Sequence, residues 1–180
     1  MDIGGILVKE VLITGFKGKN NTSAQLVALL PYPHKILLTN SFSGLHKDIE
    51  NISAEKYASI IMFGIDKTLF DCIRIEQTAA YNGRWQNSAY NVAGLAEKLS
   101  SVDIKYEISS TPTQYLCNAA YFYMLEKCQN SVFIHIPSLR GMTPALLQKL
   151  QHAFSFSHFC PYEASWHEGK GYHTKIFKGE

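Results

Sequence analysis

The sequence predicts a three-layer α/β/α domain built on a central, mostly parallel twisted sheet. Three observations lead there. Strand-length apolar runs alternate with helix-like segments along most of the chain. One run, Ala58-Ser59-Ile60-Ile61-Met62-Phe63, is apolar on both faces, as a central strand covered by helices on both sides must be. The chain has 180 residues, 46% hydrophobic and 18% charged, which is enough for one substantial core and too apolar for a disordered segment.

The elements follow in order. Val11-Leu12-Ile13-Thr14 is rich in branched residues and stops at Gly15, so it reads as the first strand. Residues 22–30 read as a helix with Thr22 or Ser23 near its cap and Pro31 ending it. Residues 35–40 are a second strand and 58–63 the central one. Over residues 71–80, Cys72, Arg74, Glu76 and Thr78 alternate with Ile73, Ile75 and Gln77, the pattern of a less buried strand. A helix over 90–99, a strand over 104–108 and a helix over 114–127 come next. Residues 132–136 form a strand that is wholly apolar apart from His135. The last helix, 143–154, has Thr143 as its cap and Pro144 at its first position. No repeat or linker divides the chain, so one domain is expected over 1–180, with a core at about 8–154. Residues 155–180 are aromatic and histidine-bearing, with a Gly169-Lys170-Gly171 turn, and read as a C-terminal tail or hairpin packed on the domain.

The formal net charge is +2, from 17 basic and 15 acidic residues with no basic block, so no nucleic-acid footprint is expected. Residues 1–8 are too short and interrupted for a signal peptide. No apolar run approaches the roughly 20 residues of a membrane span. A cytoplasmic protein is therefore expected, with Cys72, Cys117, Cys128 and Cys160 as reduced thiols. Cys160, His158, His167 and His173 match no standard zinc spacing, so neither metal nor cofactor is expected.

Three residues carry candidate chemistry. With Thr113 capping the helix after Pro112, Cys117 falls in the first turn, where free N–H groups and the helix dipole favour a thiolate. His135 lies near the C-terminal end of the next strand, the edge at which helix starts gather in α/β sheets. It shares a face with Phe133, opposite Val132, Ile134 and Ile136. Glu76, on another strand, is a carboxylate that can fix the tautomer of an imidazole and stabilise its charged form. By position alone Cys117 reads equally as a packing thiol, His135 as a core imidazole tied to backbone, and Glu76 as a surface group.

Three segments resemble pyroglutamyl peptidase I. Leu12-Ile13-Thr14-Gly15-Phe16 is similar to that family's opening strand and Thr-Gly-Phe turn. Ser109-Ser110-Thr111-Pro112-Thr113-Gln114-Tyr115-Leu116-Cys117-Asn118 resembles its nucleophile motif, Ser-Asn-Thr-Ala-Gly-x-aromatic-aliphatic-Cys-Asn. Phe133-Ile134-His135-Ile136-Pro137 matches its histidine motif. The resemblance spans about residues 11–154 and implies a layered α/β peptidase with a Cys117–His135–Glu76 triad. It implies a peptide substrate with an N-terminal pyroglutamyl or related acyl group. It also leaves room for a homo-oligomer, the arrangement many family members adopt.

The departures concern the pocket. Phe16 remains as one apolar wall, but the family's second aromatic after it is replaced within Gly18-Lys19-Asn20-Asn21. The family's glutamine-and-glycine loop becomes Gly64-Ile65-Asp66-Lys67-Thr68, which assigns Ile65 and Asp66 to the substrate side. Its Glu-Arg pair becomes Glu76-Gln77. A degenerate homologue that binds a peptide or small ligand without turnover is the alternative these departures raise.

Overall fold

The structure is a computed structural model that describes residues 10–155. It begins with strand β1 (Glu10–Phe16), helix α1 (Thr22–Leu29), strand β2 (His34–Leu38) and helix α2 (Phe42–Glu50). Strand β3 (Tyr57–Asp66) leads to β4 (Ile73–Glu76) and the short pair β5 (Thr78–Tyr81) and β6 (Arg84–Asn87). Helix α3 (Val92–Ser101), strand β7 (Tyr106–Ser109), helix α4 (Leu116–Lys127), strand β8 (Ser131–Pro137) and helix α5 (Pro144–Ala153) complete it.

Six strands form the central sheet in the order β2-β1-β3-β8-β4-β7, and β5 and β6 pair separately. Every neighbouring pair in the sheet is parallel except β4 with β8, so the expected mostly parallel α/β architecture holds. The strands' two-residue period splits the core. Ile13, Ile61, Phe63, Ile75, Val132 and Ile134 face α1, α3 and α5. Leu12, Phe16, Ile60, Met62 and Phe133 face α2 and α4. His135 shares the α4 side with Phe133, as the alternation predicted. All seven residues of β8 are buried, the mark of a strand between two helical layers.

The element boundaries shift for local reasons. Asn21, rather than Thr22 or Ser23, caps α1, its side chain accepting from the Ser23 N–H. The last helix starts as expected: Thr143 accepts from the Leu146 N–H, with Pro144 following. The predicted strand over 71–80 is two strands. The Gln77 N–H bonds to the Ser109 carbonyl at 2.8 Å, and there the chain leaves the sheet. It then turns at Asn82 and Gly83, both at positive φ (50° and 74°), the backbone of a two-residue hairpin loop. Nor is the first half poorly buried: Ile73 and Ile75 are fully covered and Glu76 is buried. The extension's predicted hairpin lies outside the described residues. Among the described residues no helix is long and apolar enough to cross a membrane.

Candidate active site

Strand β8 presents His135 between Gly64 of β3 and Arg74 of β4, its register partners on either side. Because β4 runs antiparallel to β8, Glu76 stands opposite Phe133, one inward-facing position back from His135. The carboxylate reaches diagonally to the imidazole: Glu76 Oε1 lies 2.8 Å from His135 Nδ1, with both side chains only 6% exposed. An ionised carboxylate can only accept, so Nδ1 carries the proton and Nε2 is the basic nitrogen.

Arg74, one alternation earlier on β4, was not singled out from the sequence. Its Nε donates to the same Glu76 Oε1 at 2.8 Å, one terminal nitrogen to Asp66 Oδ2 at 2.6 Å and the other to Glu107 at 3.2 Å. The signal was present, since Arg74 and Glu76 are two apart and a strand points them to one face. Burial pushes the Glu76 carboxyl up, yet the hydrogen bonds from His135 and Arg74 outweigh it and hold the group below its ordinary value. Burial likewise opposes, and Thr68 and Arg74 reverse, the shift at Asp66, which is also held low. The Tyr121 hydroxyl donates to the Glu76 backbone carbonyl at 3.0 Å and fixes the strand end from the α4 side.

Cys117 is the second residue of α4, so its place in the first turn is as expected. The cap is not. Tyr115 occupies the N-cap position with no side-chain bond, and Thr113 plays no capping part. The first N–H groups of the helix, including that of Cys117, are therefore left without intrahelical partners. The sulfur sits against Gly64, where an added Cβ would come within 2.9 Å of it and 2.5 Å of the Phe133 ring. Here glycine is required by close approach. Asn118 clamps this helix to β5, donating to the Ala80 carbonyl and accepting from the Ala80 N–H.

Cys117, His135 and Glu76 line one narrow cleft, walled by Phe133, Pro112 and Thr113 among others. No hydrogen bond links the thiol to the imidazole among the described residues. Burial pushes the thiol up to about 12, outweighing the Ile65 and Cys117 N–H groups that face the sulfur, and the Asp66 and Glu76 charges push the same way. The thiolate expected from the helix start is thus replaced by a neutral thiol, because desolvation exceeds what two N–H groups return.

The three residues assigned to the substrate side sit apart from the cleft wall. Phe16 is buried and packs against Phe133, ring centroids 6.4 Å apart, while Phe133 and Tyr121 are the aromatics that meet the cleft. Ile65 faces the sulfur through its backbone N–H. The Asp66 carboxylate is taken up by the Thr68 N–H, the Thr68 hydroxyl and Arg74. Cys160, His158, His167 and His173 lie outside the described residues.

The architecture has solved counterparts. Pyrrolidone carboxyl peptidase from Thermus thermophilus superposes with a TM-score of 0.68 at 19% identity, covering 82% of this chain and 99% of that one. The enzyme of the same name from Thermococcus litoralis gives 0.65 at 19%, covering 81% and 91%. Pyroglutamyl peptidase I from Bacillus amyloliquefaciens gives 0.67 at 16%, covering 83% and 94%. No protein-family model and no curated protein matches the sequence. At these identities the likeness is one of fold: this chain has the layered α/β architecture of the pyrrolidone carboxyl peptidases.

Proposed function

We propose that the chain is a cysteine exopeptidase or amidase that removes an N-terminal pyroglutamyl, or related small acyl, group from peptides. Cys117 is the nucleophile, His135 the base and Glu76 the group that orients the base. The observation that carries this reading is the buried 2.8 Å bond from His135 Nδ1 to Glu76 Oε1 beside a cysteine in the first turn of a helix on the same cleft. The shared fold of the peptidases named above supports it.

The neutral thiol sets the order of events. His135 Nε2 takes the thiol proton as sulfur attacks the acyl carbonyl, because a free thiolate is disfavoured in that cleft. The N–H groups at the start of α4 receive the developing oxyanion. The C–N bond then breaks, and the imidazolium returns its proton to the leaving amine. Water, deprotonated by the same nitrogen, hydrolyses the thioester; the acyl acid leaves and the thiol is restored. Glu76 keeps the imidazole in the required tautomer throughout and balances its transient charge.

Turnover of pyroglutamyl-aminocoumarin amide under reducing conditions tests the reading, with Cys117→Ala as the control. Release of coumarin by the wild type and none by the variant supports it; no release by the wild type argues against it. One observation favours the binding-only alternative, the absence of a hydrogen bond between thiol and imidazole. Such bonds often close only around substrate, and the same assay separates the two readings.

A further inference from the structure

Almost every polar side chain in the cleft wall is already committed. Asn118 spends its amide on Ala80, Thr78 donates its hydroxyl to the Ser110 carbonyl, and the Tyr121 hydroxyl serves β4 and β8. Among the described residues, two buried oxygens of the wall have no hydrogen-bond partner: Thr113 Oγ1 and Glu76 Oε2. A buried hydroxyl without a protein partner is destabilising unless water or a ligand completes its bond, and in a cleft both can reach it. The position is this chain's own, because Pro112-Thr113 stands where the nucleophile motif quoted above has Ala-Gly.

We propose that Thr113 is a specificity-determining residue whose hydroxyl hydrogen-bonds the amide of the substrate's acyl group, with Glu76 Oε2 as the second acceptor. This rests on the peptidase reading. A hydroxyl offers one donor and two lone pairs, and the carboxylate oxygen offers lone pairs alone. Together they fit an acyl group bearing both a carbonyl and an N–H, which is a lactam or carbamoyl group. A purely aliphatic acyl group would leave both oxygens unpaired. The hydroxyl thereby supplies polar recognition that the Gly64-Ile65-Asp66-Lys67-Thr68 loop, which has no glutamine, does not.

The experiment compares two aminocoumarin amides of similar shape, pyroglutamyl and cyclopentanecarbonyl, on the wild type, Thr113→Val and Thr113→Ser. The expected result is a ratio of kcat/KM, pyroglutamyl over cyclopentanecarbonyl, that falls about tenfold in Thr113→Val and is retained in Thr113→Ser, as loss of one neutral hydrogen bond requires. The Tm of Thr113→Val should equal or exceed the wild-type value, because an isosteric methyl replaces an unpaired buried hydroxyl. A purely structural Thr113 would slow both substrates alike, and an unchanged ratio in a folded Thr113→Val overturns the inference while the wild type's turnover keeps the peptidase reading. A wild type that turns over neither amide overturns both.

Discussion

Gly64→Ala probes the closest packing in the site. The added methyl would lie 2.5 Å from the Phe133 ring and 2.9 Å from Cys117 Sγ, where ordinary contact begins near 3.4 Å. The sulfur must therefore retreat by about 0.5 Å and the ring edge by about 0.9 Å. The ring has no free direction: Phe133 is wedged between Phe16, Tyr121 and His135, with ring centroids 6.4, 5.7 and 4.9 Å away. Overpacking of this kind destabilises by about 1–3 kcal/mol. A 1 Å misplacement of a reacting group lowers the rate about 100-fold, so a shift of about 0.5 Å in the sulfur lowers it by up to about tenfold. Urea unfolding should show the stability loss, and coumarin release should show a fall in kcat larger than unfolding explains. A Gly64→Ala protein within about 0.5 kcal/mol of wild type and with full turnover would refute the claim that glycine is there to seat the sulfur.

The remaining predictions concern charge. Cys117 should alkylate slowly with iodoacetamide at pH 6, its rate rising with pH past 9 without levelling; mass mapping of a pH series checks this, and a plateau near pH 6 would show a preformed thiolate instead. Arg74→Met strands two inward carboxylates, and with the guanidinium only 17% exposed it should destabilise by about 2–4 kcal/mol at pH 7. Asp66 and Glu76 are held below ordinary values of 3.8 and 4.5 in the folded chain, so their contribution is complete above those values and is lost as pH falls through the lowered folded ones. Part of each shift comes from Arg74, so the gap between wild type and Arg74→Met should shrink on acidification below about pH 4. Denaturant titrations at pH 7 and pH 3 test it, and an equal gap at both would be contrary.

The sheet was legible because its signals are strong and local. The run at 58–63 and the run around His135 are apolar on both faces, and only a central strand satisfies that. The hairpin of β5 and β6 was legible too but went unread. Asn82-Gly83 is the strongest short hairpin signal, yet the alternation from Cys72 to Thr78 runs through the break at Gln77 and hides it. Helix α2 escaped because its apolar stripe is thin: Leu45 and Ile49 are its buried residues, and Gly44 weakens its propensity. The candidate residues Cys117, His135 and Glu76 could be singled out because their types are rare in such positions. Their pocket could not, since Thr113 and Phe133 acquire their roles from the course of the 110–115 loop and from packing, neither of which has a periodicity to read.

The reversal of β4 decides which side chains stand beside His135. With Ile75 opposite Ile134, an antiparallel strand places Arg74 abreast of His135 and Glu76 opposite Phe133. A parallel strand in the same register would exchange them, leaving the carboxylate abreast of the imidazole and the guanidinium at the Phe133 level. As built, the guanidinium stands abreast of the imidazole, and the carboxylate reaches the imidazole on the diagonal at 2.8 Å. Burial pushes the Cys117 thiol up, and the Asp66 and Glu76 charges, both paired with Arg74, push the same way. On the proposed reading, transfer of the proton and attack by sulfur occur together when a carbonyl arrives, because burial first, and the Asp66 and Glu76 charges second, push the Cys117 thiol up.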